Sequence, residues 1–122
     1  TGKYDLIVSN PPYIPERNLK QLSKEITHFE PLEALNGGND GLDLIKKVIY
    51  KSKRLLKKNG TLAIEVGNHQ YREVSNLLRL NDFRELKKVH DYKNNVRCII
   101  STNWFYFKFF IIIILTRRKY EV

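Results

Sequence analysis

The 122-residue chain reads as an α/β fold built on one open sheet. Three observations carry that reading: short apolar runs bounded by turn signals, two stretches whose apolar residues recur at helical spacing, and the alternation of the two before a closing pair of strands. Tyr4 and the run Leu6-Ile7-Val8 come first, ended by Asn10-Pro11-Pro12-Tyr13. A continuous apolar run predicts a strand covered on both faces in a parallel sheet. The residues from Asn18 to Thr27 are polar with scattered Leu19, Leu22 and Ile26, and predict a short helix or a loop over the mouth of a site. Asp40 is placed to cap a helix running from about Gly41 to Lys58, with Leu42, Ile45, Ile49, Leu55 and Leu56 as its apolar face. Lys57 and Lys58 then suit the negative end of the helix dipole, and Asn59-Gly60 the left-handed stop. Thr61 to Val66 predicts the next strand, Gln70 to Leu80 a helix with Val74, Leu77 and Leu78 inward, and Arg84 to His90 with Val96 to Ser101 the closing strands.

The end of the first strand carries the chemistry. Pro11 and Pro12 have no backbone donor and fix their own φ, and Pro11 pushes Asn10 out of the helical region. The backbone after Ser9 is therefore stiff and extended, and Asn10 stands at the carboxyl end of a strand, where open α/β sheets place ligands. An Asn-Pro-Pro alone also suits an ordinary turn. A buried strand before it and an aromatic after it favour a clamp for a planar NH2 group. The nitrogen of an amide or aromatic amine is a poor nucleophile because its lone pair is delocalised. The Asn10 side-chain oxygen and the Pro11 carbonyl can each accept one of its hydrogens and favour a localised lone pair. Orientation of such a nitrogen in line with an electrophile is worth roughly 7–11 kcal/mol of barrier. Tyr13 offers a face for stacking.

Downstream landmarks recur in order: Ile14-Pro15, Phe29-Glu30-Pro31 with Ala34-Leu35, Gly37-Gly38 with Asp40-Gly41-Leu42, Gly60, Glu65-Val66-Gly67 with Gln70, Phe83, and Asp91 followed by Arg97. With the clamp, this set resembles the protein-(glutamine-N5) methyltransferases, the release factor glutamine methyltransferase family, over residues 3 to 101. The resemblance implies a class I, Rossmann-like, S-adenosylmethionine-dependent methyltransferase. It also implies a substrate, the glutamine in the Gly-Gly-Gln loop of peptide chain release factors. On that basis Asn10 is the catalytic residue and meets the cofactor, S-adenosyl-L-methionine. Asn10, Pro11, Pro12 and Tyr13 bind the substrate. Adenine-N6 DNA methyltransferases share the clamp but not the ordered set.

No Gly-rich turn after a strand precedes Asp5, and no acidic residue stands at the end of a second strand to hold a ribose. The expectation is therefore the C-terminal half of the sheet only, with most of the cofactor site lacking and the isolated chain inactive. Gly37-Gly38 and Gly41 lead into a helix from a loop, which reads as turn and capping geometry. An inactive remnant and a fragment of an adenine-N6 nucleic-acid methyltransferase are the alternatives. Glu65 either lines the substrate pocket or bonds backbone amides nearby, and Glu30-Pro31 reads as a loop anchor. His28, His69 and His90 lack ligand spacing, so no metal is expected. Lone Cys98 in an apolar strand suits a reduced thiol in the cytoplasm.

A formal charge of +9 raises nucleic acid, or a ribosomal setting, as a partner. Much of it lies along one helix at Lys46, Lys47, Lys51, Lys53, Arg54, Lys57 and Lys58, where a solvated face accounts for it equally well. Residues 1–101 form the methyltransferase unit and 102–122 a divergent tail or linker. From Trp104 to Leu115 the tail is apolar with neither strand alternation nor an amphipathic face, and at 12 residues it is shorter than the roughly 20 of a membrane span. An extra strand, an interfacial anchor followed by Arg117, Arg118 and Lys119, and a linker are its readings; no stable span and no signal peptide are expected. Nothing in the pattern fixes an oligomeric state.

Overall fold

β1 (Tyr4–Ser9) lies parallel to β2 (Leu56–Glu65), with Ile7 opposite Leu62 and Val8 opposite Ala63. The computed structural model that shows this describes residues 2–104. A parallel pair needs a crossover, and α2 (Asp43–Leu55) supplies it. α3 (Tyr71–Leu80) leads on to an antiparallel pair, β3 (Phe83–His90) and β4 (Val96–Asn103). β4 inserts antiparallel beside β2, so the strand order is β1-β2-β4-β3. Between β1 and α2 the chain forms a 3₁₀ turn at Glu16–Gln21, the short α1 (Lys24–Phe29) and a second 3₁₀ turn at Leu32–Ala34.

The helical spacing seen in the sequence packs as expected except at Leu55, which is 43% exposed. Ile45 and Ile49 of α2 and Val74 and Leu78 of α3 meet Leu62, Ile64 and Ile99 in one buried cluster. Ile64 lies opposite Ile99 across the β2–β4 ladder, so these side chains share the helix-covered face of the sheet. Gly38 and Gly41 have φ of 88° and 78°, the turn geometry expected of the glycine cluster before α2.

Four details differ from expectation. Among the described residues β1 is not covered on both faces: it is an edge strand, with Tyr4 52%, Leu6 56% and Val8 73% exposed. α2 ends at Leu55, and Leu56 is buried as the first residue of a longer β2. The left-handed residue is Asn59, with φ 60°, where the β1–β2 register also shifts; Gly60 continues the strand. Asp40 does not stand at the cap position of α2, which Leu42 holds, but its Oδ1 accepts the Leu42 N–H at 2.9 Å. Past Ser101, β4 continues to Asn103, and Trp104 stacks its ring against the Arg84 guanidinium at 4.1 Å. The rest of the apolar tail lies outside the described residues. Among those described, no helix is long and apolar enough to cross a membrane.

Candidate active site

The Asn-Pro-Pro-Tyr turn leaves the carboxyl end of β1 and is gripped from three sides. Pro11 is buried, Pro12 and Tyr13 half-buried, and Asn10 exposed. On one side the chain after Tyr13 pairs with the loop before α2. The Ile14 N–H donates to the Leu35 carbonyl at 3.2 Å and the Gly37 N–H to the Ile14 carbonyl at 2.8 Å. A Cβ on Gly37 would stand 2.8 Å from the Tyr13 backbone, so only glycine lets the two segments approach this closely.

On the second side Gln70, just before α3, works as a double-ended strut. Its Oε1 accepts the Gly67 N–H at 2.9 Å while its Nε2 donates to the Tyr13 carbonyl at 2.9 Å and to the Gly41 carbonyl at 3.3 Å. One amide thereby ties the ends of β1 and β2 to the turn that starts α2. Gly67 lies under the Tyr13 ring, where a Cβ would come within 2.7 Å of Cδ2.

Arg97 of β4 holds the third side. Its Nη2–H donates to the Tyr13 hydroxyl at 3.0 Å, its Nη1–H to Asn68 Oδ1 at 2.8 Å, and its guanidinium lies 5.7 Å from the centre of the Tyr13 ring. Glu65 pairs with Arg97 at 3.6 Å. Neither role expected for Glu65 is the one seen, since its carboxylate orients the arginine that orients Tyr13. The planar fork of arginine points its donors in fixed directions from separate nitrogens, whereas a lysine offers one compact ammonium with rotatable donors.

Beside Tyr13 opens a cleft of about 870 Å³, lined among others by Arg17, Asn68, Gln70, Glu73 and Arg97. Tyr13 forms one wall, and Asn10 stands outside it at the strand end. His69 lines the cleft in a left-handed conformation, φ 68°. No cluster of three or more His, Cys, Asp or Glu able to hold a metal occurs among the described residues. Burial, with a smaller push from the Glu65 charge, raises the Cys98 thiol above its ordinary 9.0 and keeps it protonated. Of the residues that brace the clamp, Gln70, Gly67 and Arg97 were visible in the sequence only as landmarks without roles, and Glu65 with roles other than this one. Asn68 carried no signal at all.

A family model described as Eco57I restriction-modification methylase matches residues 1–99. The chain belongs to this methylase family. The curated relatives it resembles are protein-glutamine methyltransferases. It is 37% identical over 99 residues to the release factor glutamine methyltransferase of Clostridium acetobutylicum, covering 81% of this chain and 35% of the relative. To that of Fusobacterium nucleatum it is 43% identical over 99 residues, covering 81% and 28%. The ribosomal protein uL3 glutamine methyltransferase of Francisella tularensis is 49% identical over 69 residues, 57% of this chain and 22% of the relative. The chain thus spans about a third or less of the curated relatives it matches. A solved Thermus thermophilus structure described as a DNA modification methylase superposes with a TM-score of 0.53 over 85% of this chain and 48% of that one, at 21% identity. That likeness shows the fold, a Rossmann-like methyltransferase sheet of which this methylase chain carries the C-terminal part.

Proposed function

We propose that the chain supplies the acceptor side of an S-adenosylmethionine-dependent N5-methylation of the glutamine in the Gly-Gly-Gln loop of peptide chain release factors. The observation that carries the reading is the exposed Asn10 amide at the end of β1, directly followed by a proline pair and a tyrosine braced on three sides. Asn10 Oδ1 and the Pro11 carbonyl accept the two hydrogens of the glutamine amide and turn its nitrogen toward the donor. Tyr13 stacks on the amide plane, and Arg97 keeps the phenol from swinging into the cleft. The peptide on either side of the glutamine has the adjoining cleft to lie in. Such a substrate meets its enzyme in the cytoplasm.

When bound, S-adenosylmethionine supplies an electrophilic methyl group. Of the described residues, Asn10 fits the methyl end of that molecule. The glycines that a nucleotide cradle would need are occupied elsewhere: Gly37, Gly41 and Gly67 each have the Tyr13 turn where a Cβ would stand. The residues present therefore fit the acceptor and not the adenosyl end.

A second reading, methylation of the adenine amino group, draws on the description of the matching family model and uses the same two acceptors. A chimera decides between them. Residues 1–99 replace the matching stretch of the Clostridium acetobutylicum enzyme, and methyl transfer is followed by mass spectrometry on a Gly-Gly-Gln peptide, a uL3 glutamine peptide and an adenine oligonucleotide. The expected acceptor is the Gly-Gly-Gln peptide, with Asn10→Ala lowering turnover by about 10²–10³ and sparing cofactor binding. Transfer to the oligonucleotide alone would transfer the assignment to adenine, and an Asn10→Ala chimera of undiminished activity would remove Asn10 from the chemistry.

A further inference from the structure

The outward face of α2 carries charge of one sign around an exposed aromatic. At about 100° per residue, Lys47, Tyr50, Lys51 and Arg54 fall in one stripe opposite the buried Ile45, Ile49 and Ser52. All four are exposed, Tyr50 at 60%. The cations flanking the stripe have partners: Lys46 pairs with Asp40 at 3.1 Å, Lys53 donates to Asn103 Oδ1 at 2.8 Å, and Lys57 pairs with Asp5 at 3.0 Å. Lys47, Lys51 and Arg54 take part in no ion pair among the described residues.

A helix face that serves only solvation gains by mixing signs at i, i+3 and i, i+4. Here Lys47 faces Lys51, and Lys51 faces Arg54, like-charge neighbours that each cost roughly 0.2–0.5 kcal/mol. An anion laid along the stripe removes that cost. Lys47 and Lys51 are separated by roughly 6 Å along the axis, a spacing suited to one cation per phosphate of an extended strand. Tyr50, 60% exposed, flanks Lys47 and Arg54 on one side of the stripe, and an exposed aromatic is the element that sequence-tolerant single-strand binders use to stack unpaired bases. A membrane-surface helix would need its apolar face outward, and that of α2 is packed in the core.

We infer that this ridge binds a single-stranded nucleic acid, its phosphates on Lys47, Lys51 and Arg54 and a base on Tyr50. The inference is independent of the methyl-transfer reading, because the ridge faces away from the core and none of its four residues lines the cleft.

The test is fluorescence anisotropy of a labelled oligothymidylate with the whole 122-residue chain across a salt series. K47E/K51E/R54E is expected to weaken binding at least about tenfold and to flatten the slope of log affinity against log salt by roughly 2, about 0.7 per phosphate contact. Tyr50→Ala is expected to weaken binding about fivefold or more. K20E/K24E/K93E, which changes the same charge at three other exposed positions, is expected to do far less. Equal losses in the two triple variants would assign binding to net charge and overturn the ridge. So would full affinity in the ridge variant, or a ridge variant impaired only on anionic vesicles. If the reversed set unfolds by circular dichroism, the Lys→Gln and Arg→Gln forms of the same positions make the comparison.

Discussion

At the residue scale the site is a tyrosine held by partners from distant parts of the chain. Gln70 reaches Tyr13 across 57 positions and Arg97 across 84. Such partners have no local pattern, so the sequence showed Asn10 to Tyr13 as a clamp through its own stiffness but left Gln70 and Arg97 without roles. Two substitutions test the brace. Gly67→Ala places a methyl within 2.7 Å of the Tyr13 ring and 2.8 Å of Gln70 Oε1, and overpacking of that kind costs about 1–3 kcal/mol. Gln70→Glu keeps the acceptor for Gly67 N–H but sets a carboxylate against the Tyr13 and Gly41 carbonyls, with a cost of about 1–3 kcal/mol from the lost donors. Urea unfolding reads both. Unchanged midpoints would mean that Tyr13 is not held by this strut.

At the element scale, both main helices and the four strands of the described residues were legible from the apolar patterning, because burial imposes a spacing that survives in the sequence. Ends were less so. Leu55-Leu56 and Lys57-Lys58 continue the chemistry of a helix, and only β2's pairing with β1 draws Leu56 into the sheet while Asn59 takes the left-handed turn. The β3–β4 turn shows what a single side chain can fix. Asp91 Oδ1 accepts the Lys93 and Asn95 N–H groups, each at 2.9 Å. These bonds, first that from Asn95, hold the carboxyl below its ordinary 3.8, with the Arg97 charge a lesser contributor. The folded state therefore binds this proton less tightly than the unfolded chain. The turn's contribution is fully present above pH 3.8 and is lost as the pH falls through the lower, folded value. A carboxyl-carbon NMR titration is expected to place the Asp91 midpoint below 3.8, and Asp91→Asn to remove that part of the acid dependence. A midpoint at or above 3.8 would show that the turn does not depend on the charged form.

At the scale of the whole molecule the two sheet edges are unlike. β3, one edge, carries Arg84, Lys87 and Lys88 and has register shifts on both sides of its central residues, devices that discourage further pairing. β1, the other, has Asp5 as its one charge and exposes Leu6 at 56% and Val8 at 73%. A run of that composition was read in the sequence as a strand covered on both faces, which the exposed Leu6 and Val8 contradict. These side chains are suited to a covering layer, and the chain spans about a third of the relatives it matches. The isolated chain should accordingly self-associate through β1, with backbone donors and acceptors that have no strand partner among the described residues pairing edge to edge. Sedimentation velocity is expected to show concentration-dependent association. Val8→Lys, which sets a charge on the open edge beside Ala63 of β2, should shift the chain toward monomer with little loss of stability, since that side chain packs against almost nothing. Lys87→Gln, on the already blunted edge, should leave the association as it is. A wild-type chain that stays monomeric at every concentration, or a Val8→Lys variant that sediments like it, would show that β1 is not a sticky edge.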